Sequence, residues 1–172
     1  MLNKLGYRIE SYGGSGIRDL KKIILFEILE LDNTEILDYV YDNYAKNCDI
    51  KHLPNELRTI PNKLKQMIKV IDGYTNSKTY ESGAILYTDK DIENIVDDII
   101  KFLNYIYKKD FKYGLWLCEG IEECIYMYSK NKDDNVFIYQ IGDLILSDLG
   151  RDGQLYAYEK EPKMAYTNMV SA

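Results

Sequence analysis

The chain has 172 residues, 46% hydrophobic and 29% charged, a balance that fits one globular domain spanning 1–172 with enough core to need no staples. Its net charge of −6 and pI of about 4.9 provide no basic footprint for direct nucleic-acid contact. No apolar run approaches the roughly 20 residues of a membrane span, and Met1-Leu2-Asn3-Lys4 lacks the apolar core of a signal peptide, so a cytoplasmic location without membrane contact is expected.

In chain order, Leu5 to Tyr12 reads as a strand ended by Gly13-Gly14-Ser15-Gly16. A helix from Ile17 to about Leu31 follows. Asp32 and Glu35 have capping-box spacing and introduce a second helix, with Ile36, Leu37, Val40, Tyr41 and Tyr44 on one face. After an irregular stretch from Asn47 to Thr59, Pro61 fits the first turn of a third helix that Gly73 is expected to stop. Ala84 to Tyr87 reads as a strand. Thr88 then caps the strongest helix, whose stripe Ile92, Ile95, Val96, Ile99, Leu103 and Ile106 is continuous. Leu115 to Cys118 reads as a strand and Ile121 to Tyr128 as a short helix. Val136 to Ile141, Leu144 to Leu146 and Leu155 to Tyr158 read as further strands. The predicted class is therefore α+β, with a helix-rich first two thirds and a small antiparallel or mixed sheet built mainly by the last third.

Few catalytic chemistries are open to this composition. Cys48, Cys118 and Cys124 have no CxxC spacing, so neither a disulfide framework nor a zinc site built from them alone is expected. Cys118 and Cys124 fall in apolar segments and read as reduced core thiols. His52 is the sole histidine, and every serine–histidine, cysteine–histidine or multi-histidine arrangement would have to pass through it. The glycines at 13–16 lack the lysine of a Walker A loop, leaving a turn as the expected role and anion binding at the helix start as the sharper one.

The segment from Asp148 to Glu159 matches part of a calcium loop, with Asp148, Asp152, Gly153, Leu155 and Glu159 at positions 1, 5, 6, 8 and 12. Gly150 removes the ligand at position 3, and the flanks read as strands. An Asp152-Gly153 hairpin turn accounts for the same residues without a metal, and none is expected.

Gly6-Tyr7-Arg8-Ile9, Gly114-Leu115-Trp116-Leu117 leading into Glu122 to Tyr128, and Glu159-Lys160-Glu161 together resemble elements of the ADP-ribosyltransferase fold. The resemblance implies an NAD-dependent enzyme. Arg8 would bind a dinucleotide phosphate, Tyr128 would line the nicotinamide pocket, and Glu161 would stabilise the developing oxocarbenium ion. The chain departs from that pattern in having no Ser-Thr-Ser motif and in placing Pro162 directly after the acidic pair.

The preferred reading is a small acidic protein-binding protein without a cofactor. Its 17 tyrosines offer contact area at low entropic cost, and its charge complements a basic surface. The expected contacts are Asp89, Asp91, Glu93, Asp97 and Asp98 on the strongest helix, with Asp133 and Asp134 in the later turn. The lysine-, asparagine- and isoleucine-rich usage suits an AT-rich bacterial or mobile-element genome. From that source an inhibitor of anti-defence type, acting on a nucleic-acid-handling enzyme, is expected.

Overall fold

The structure is a computed structural model describing residues 4–9, 18–77, 88–130, 134–141, 144–148, 153–162 and 164–169. The glycine-rich segment 13–16, the strand expected at Ala84 to Tyr87 and Asp133 lie outside the described residues. The fold is α+β and helix-rich, with strands concentrated toward the C-terminus. It separates into two compact units, a helical one (Lys21–Lys109) and one carrying the strands (Met1–Leu20 with Asp110–Ala172).

The helical unit follows its apolar periodicity. In α1 (Leu20–Leu29), Leu20, Ile23, Ile24 and Ile28 recur at helical spacing and are buried. Asp32 does not cap the next helix. It adopts a left-handed backbone, φ 47°, just after α1, which places its side chain in the exit turn. The capping contact comes from Asn33, whose Oδ1 accepts the Glu35 amide at 2.9 Å. Helix α2 (Glu35–Val40) buries Ile36, Leu37 and Val40 and then widens into a π-turn over Tyr41–Ala45.

Helix α3 (Ile60–Ser77) runs through Gly73 instead of stopping there. Glycine in a helix interior costs about 1 kcal/mol against alanine, but it ends the helix only where the backbone turns left-handed. In α4 (Asp89–Tyr107) the Thr88 side chain accepts from the Asp91 amide while Asp91 accepts from the Thr88 amide, a complete capping box. The α4 stripe is buried as far as Leu103, whereas Ile106 is 39% exposed. Lys108, at φ 53°, closes the helix in the left-handed conformation.

The second unit contains two antiparallel sheets. In the first, β4 (Asn135–Ile141) lies between β1 (Lys4–Ile9) and β7 (Met164–Met169), with Lys4 opposite Ile141 and Ile9 opposite Val136. The second has the order β2 (Arg18–Asp19), β3 (Tyr113–Leu117), β6 (Gln154–Tyr158), β5 (Leu144–Asp148). Tyr7 and Cys118 exchange both backbone hydrogen bonds, at 2.9 and 2.8 Å, and so join β1 to the end of β3. The short helix α5 (Ile121–Tyr128) packs on β1.

Leu115, Leu117, Tyr139, Tyr156 and Tyr158 form the core of this unit, with Leu115 directly opposite Tyr156 across the β3–β6 ladder. Part of the tyrosine excess is therefore interior. The Tyr156 hydroxyl is hydrogen-bonded to the Gln154 side-chain oxygen, two residues away on the same face of β6, which satisfies a phenol that would otherwise be costly to bury. Gly6 is packed closely by the same core, since a Cβ there would stand 2.7 Å from Leu117 Cδ1.

The segment from Asp148 to Glu159 joins two strands. Asp148 pairs with Gln154, so β5 and β6 are a hairpin, and Gly153 enters β6 at φ 108°. A calcium loop of the EF-hand type is flanked by helices on both sides, which this segment is not. Residues 149–152 lie outside the described residues.

Candidate functional site: acidic and aromatic helix faces

The carboxylates of α4 are placed by its helical period. Glu93 and Asp97, four residues apart, share a face and both meet Lys21 of α1, each at 3.0 Å. The hydrogen bond from Lys21 holds the Glu93 carboxyl below its ordinary value, and the two carboxylates raise the Lys21 ammonium. Asp98 stands 3.8 Å from Lys63 of α3. Asp91 is engaged in the capping box, where the Thr88 amide and hydroxyl lower its carboxyl. Asp89 is exposed in the first turn, where the helix dipole favours a negative charge. Much of this acidic face is thus internally compensated by lysines of the same unit. Asp134 accepts the Lys130 amide at 2.8 Å, while Asp133 lies outside the described residues.

A second acidic surface is built by α5. Gly120 precedes the helix in extended conformation, and Ile121, Cys124 and Ile125 occupy its inner side at i, i+3 and i+4. Glu122 and Glu123 in the first turn are stabilised there by the helix dipole. The spacing carries Tyr126 to the same outer side, four residues after Glu122 and three after Glu123. Tyr126 is 87% exposed and Tyr128 is 38% exposed. Glu119, just ahead of the helix, pairs with Lys4 at 3.0 Å. Glu122, Glu123 and Tyr126 were absent from the expected contacts. The signal was available in the sequence, since an eight-residue helix with two leading glutamates must turn a tyrosine outward when its cysteine and isoleucines turn inward.

The three residues of the ADP-ribosyltransferase resemblance lie on different segments of the strand-bearing unit. Arg8 is half-buried on β1, and its Nη1 donates to the Trp116 carbonyl at 3.2 Å, so the guanidinium ties β1 to β3. Tyr128 is the last residue of α5, and Glu161 is exposed beyond β6. Strand β6 stops at Tyr158 and the chain bends at Glu159 and Lys160, so the alternation that would align Glu159 with Glu161 does not continue.

The remaining polar candidates are simple. His52 is exposed and pairs with Asp49 at 3.1 Å within a 3-10 turn. Among the described residues, no group of three or more histidine, cysteine, aspartate or glutamate side chains could hold a metal ion, and no helix is long and apolar enough to cross a membrane. Compared with protein-family models, curated proteins and solved structures, the chain matches none.

Proposed function

We propose that the protein is a protein-binding protein whose partner presents a basic surface, and that it acts on that partner as an inhibitor. The observation that carries this reading is the outer face of α5, where Tyr126 stands 87% exposed beside Glu122 and Glu123. A rigid aromatic side chain with two flanking carboxylates combines a packing anchor with charge that attracts lysine and arginine. The α4 carboxylates Asp89, Asp91, Glu93, Asp97 and Asp98, with Asp133 and Asp134, add longer-range attraction that speeds encounter. A nucleic-acid-handling enzyme carries the kind of basic surface this charge pattern suits, and blocking that surface is the inhibitory action we infer.

The test is a pull-down from bacterial lysate with the tagged full chain, a Tyr126→Ala variant and a Glu122→Gln/Glu123→Gln variant. A stoichiometric, net-basic protein that elutes with salt is expected, because exposed charge pairs are screened over about 10 Å at 0.1 M ionic strength. Loss of the tyrosine should weaken its capture by roughly 30-fold, the size of a central interface anchor. A partner retained equally by all three proteins, or held without regard to salt, would overturn the α5 reading. A monomer with no stoichiometric partner would overturn the function.

A further inference from the structure

We propose that the protein self-associates, the acidic α5 face of one copy docking on a basic, tyrosine-bearing surface at the C-terminal end of α4 in a second copy. The inference rests on the α5 reading above and adds the regulation of that face. Lys101 and Tyr105 are four residues apart on the outer side of α4, and Lys108 and Lys109 follow at its end, all of them exposed. Tyr105 is 47% exposed, and its hydroxyl lies 3.4 Å from the His52 carbonyl oxygen, which brings the segment 51–58 to this end of the helix. There Arg58 donates from Nε to the Leu53 carbonyl at 2.9 Å and from Nη2 to the Lys51 carbonyl at 3.3 Å. Its guanidinium is thus fixed against that backbone.

Most carboxylates of these two segments are engaged with other side chains. Asp97 pairs with Lys21 at 3.0 Å, and Asp98 stands 3.8 Å from Lys63, one turn before Lys101. Asp49 pairs with His52 and Asp110 with Lys112, each at 3.1 Å. Glu56, exposed in the turn ahead of Arg58, is the remaining one. Lys51, Arg58, Lys101, Lys108 and Lys109 therefore make a local excess of positive charge in a chain whose net charge is −6. On α5 the same arrangement recurs with the sign reversed, where Glu122 and Tyr126 are four residues apart with Glu123 beside them. Each copy thus carries an aromatic anchor set among carboxylates and another set among cations. That complementarity selects a second copy as the occupant, through a heterologous contact. A docked α5 face cannot meet a basic partner, so self-association withholds Tyr126 and the partner must compete for it.

The test is sedimentation of the purified, nuclease-treated full chain over a range of concentrations. At low salt the weight-average mass should rise above the 20.1 kDa monomer with concentration, and it should fall back as salt is added. Lys101→Glu/Lys108→Glu and Glu122→Lys/Glu123→Lys should each weaken association by roughly tenfold or more, because like charges then face each other. An equimolar mixture of the two variants should associate again, which a loss of folding in either could not produce. Where a reversal lowers the urea midpoint, the glutamine versions of the same pairs replace it and should give a smaller loss in the same direction. A wild-type chain that stays monomeric at low salt would overturn the proposal, as would association unmoved by either variant or a mixture of folded variants that stays apart. Self-association that nuclease abolishes would overturn it too, assigning the α4 surface to nucleic acid. Lys101→Glu/Lys108→Glu leaves the α5 face intact and should still capture the basic partner from lysate. Capture by a chain that does not self-associate sinks only the present inference, and self-association without capture sinks only the proposed function.

Discussion

In the helical unit each element is specified by neighbours within its own turn or the next. Thr88 reaches Asp91, Asn33 reaches Glu35, and the buried stripe of α4 repeats every three or four residues. The strand-bearing unit also depends on residues far apart in the chain, because β1 builds its ladder on β4, with Lys4 opposite Ile141. Local contacts form early at small entropic cost, whereas pairing the two ends of a chain must first close a long loop. The difference teaches where glycine matters. In a helix it is a weak residue that the backbone passes through, and in a distant strand pairing it is a residue whose missing Cβ the partner occupies.

That contrast can be broken with two substitutions of the same kind. Gly153 has φ 108°, a conformation reserved for glycine, and a Cβ there would stand 3.0 Å from the Leu117 carbonyl oxygen, a backbone atom that cannot swing away. Gly153→Ala should therefore destabilise the protein by about 1–3 kcal/mol. Gly73→Ala, inside α3, should instead gain about 1 kcal/mol from helix propensity. Urea midpoints at constant m measure both. Effects of the same sign would remove the distinction between the two glycines.

What could be read from the sequence follows the same division. The α5 boundaries, the Thr88 cap and the buried α4 positions Ile92, Ile95, Val96, Ile99 and Leu103 come from spacing within single segments, and spacing is visible in one chain. The buried Phe102 lies outside the stripe read that way. Strand β7 and the two-residue β2 went unread, since Arg18-Asp19 has no alternation and is a strand only because Gly114 and Tyr113 lie opposite. Asp32 has cap spacing, yet the backbone at the end of α1 turned it left-handed, a decision made by the preceding helix. The candidate site is mixed in the same way. The acidic face of α4 was legible as composition, but Lys21 belongs to another helix, and its position between Glu93 and Asp97 is a tertiary fact. The tyrosines read as contact surface, but Tyr139, Tyr156 and Tyr158 are core, and at Tyr156 the Gln154 side chain satisfies the interior phenol.

A middle-sized effect sharpens the local half of the comparison. If α4 is specified by its own ends, loss of the Thr88 hydroxyl removes one half of the capping box and should cost about 1 kcal/mol. Thr88→Ala should also accelerate amide exchange in the first turn of α4 more than at Ile99 or Leu103. Thr88→Ser, which keeps the oxygen, should restore most of the loss. A serine variant as weak as the alanine one would move the effect from the cap to packing of the threonine methyl.

The smallest effect concerns the cost of crowding local elements. Where α1 runs into α2, Glu27 and Asp38 are partly withdrawn from water, and desolvation raises both carboxyls above their ordinary values, opposed by the Asn33 and Thr34 hydrogen bonds. A carboxyl raised in the folded state binds its proton more tightly folded than unfolded. Its contribution to stability is therefore fully present below the ordinary value, 4.5 for Glu27, and is lost as pH rises through the folded value. Near neutral pH the ionised Glu27 opposes folding. Glu27→Gln keeps an oxygen to accept from Asn33 Nδ2, a 3.1 Å contact in the native protein, and removes the charge. It should stabilise by less than about 1 kcal/mol at pH 7, because the group remains largely screened by solvent, and by nearly nothing below its ordinary value. Urea midpoints of both proteins across pH 3.5 to 7, roughly the window bracketing that value, measure the difference. A gap that widens with pH assigns the effect to burial of the charge, and a gap constant across the window would assign it to the Asn33 contact instead.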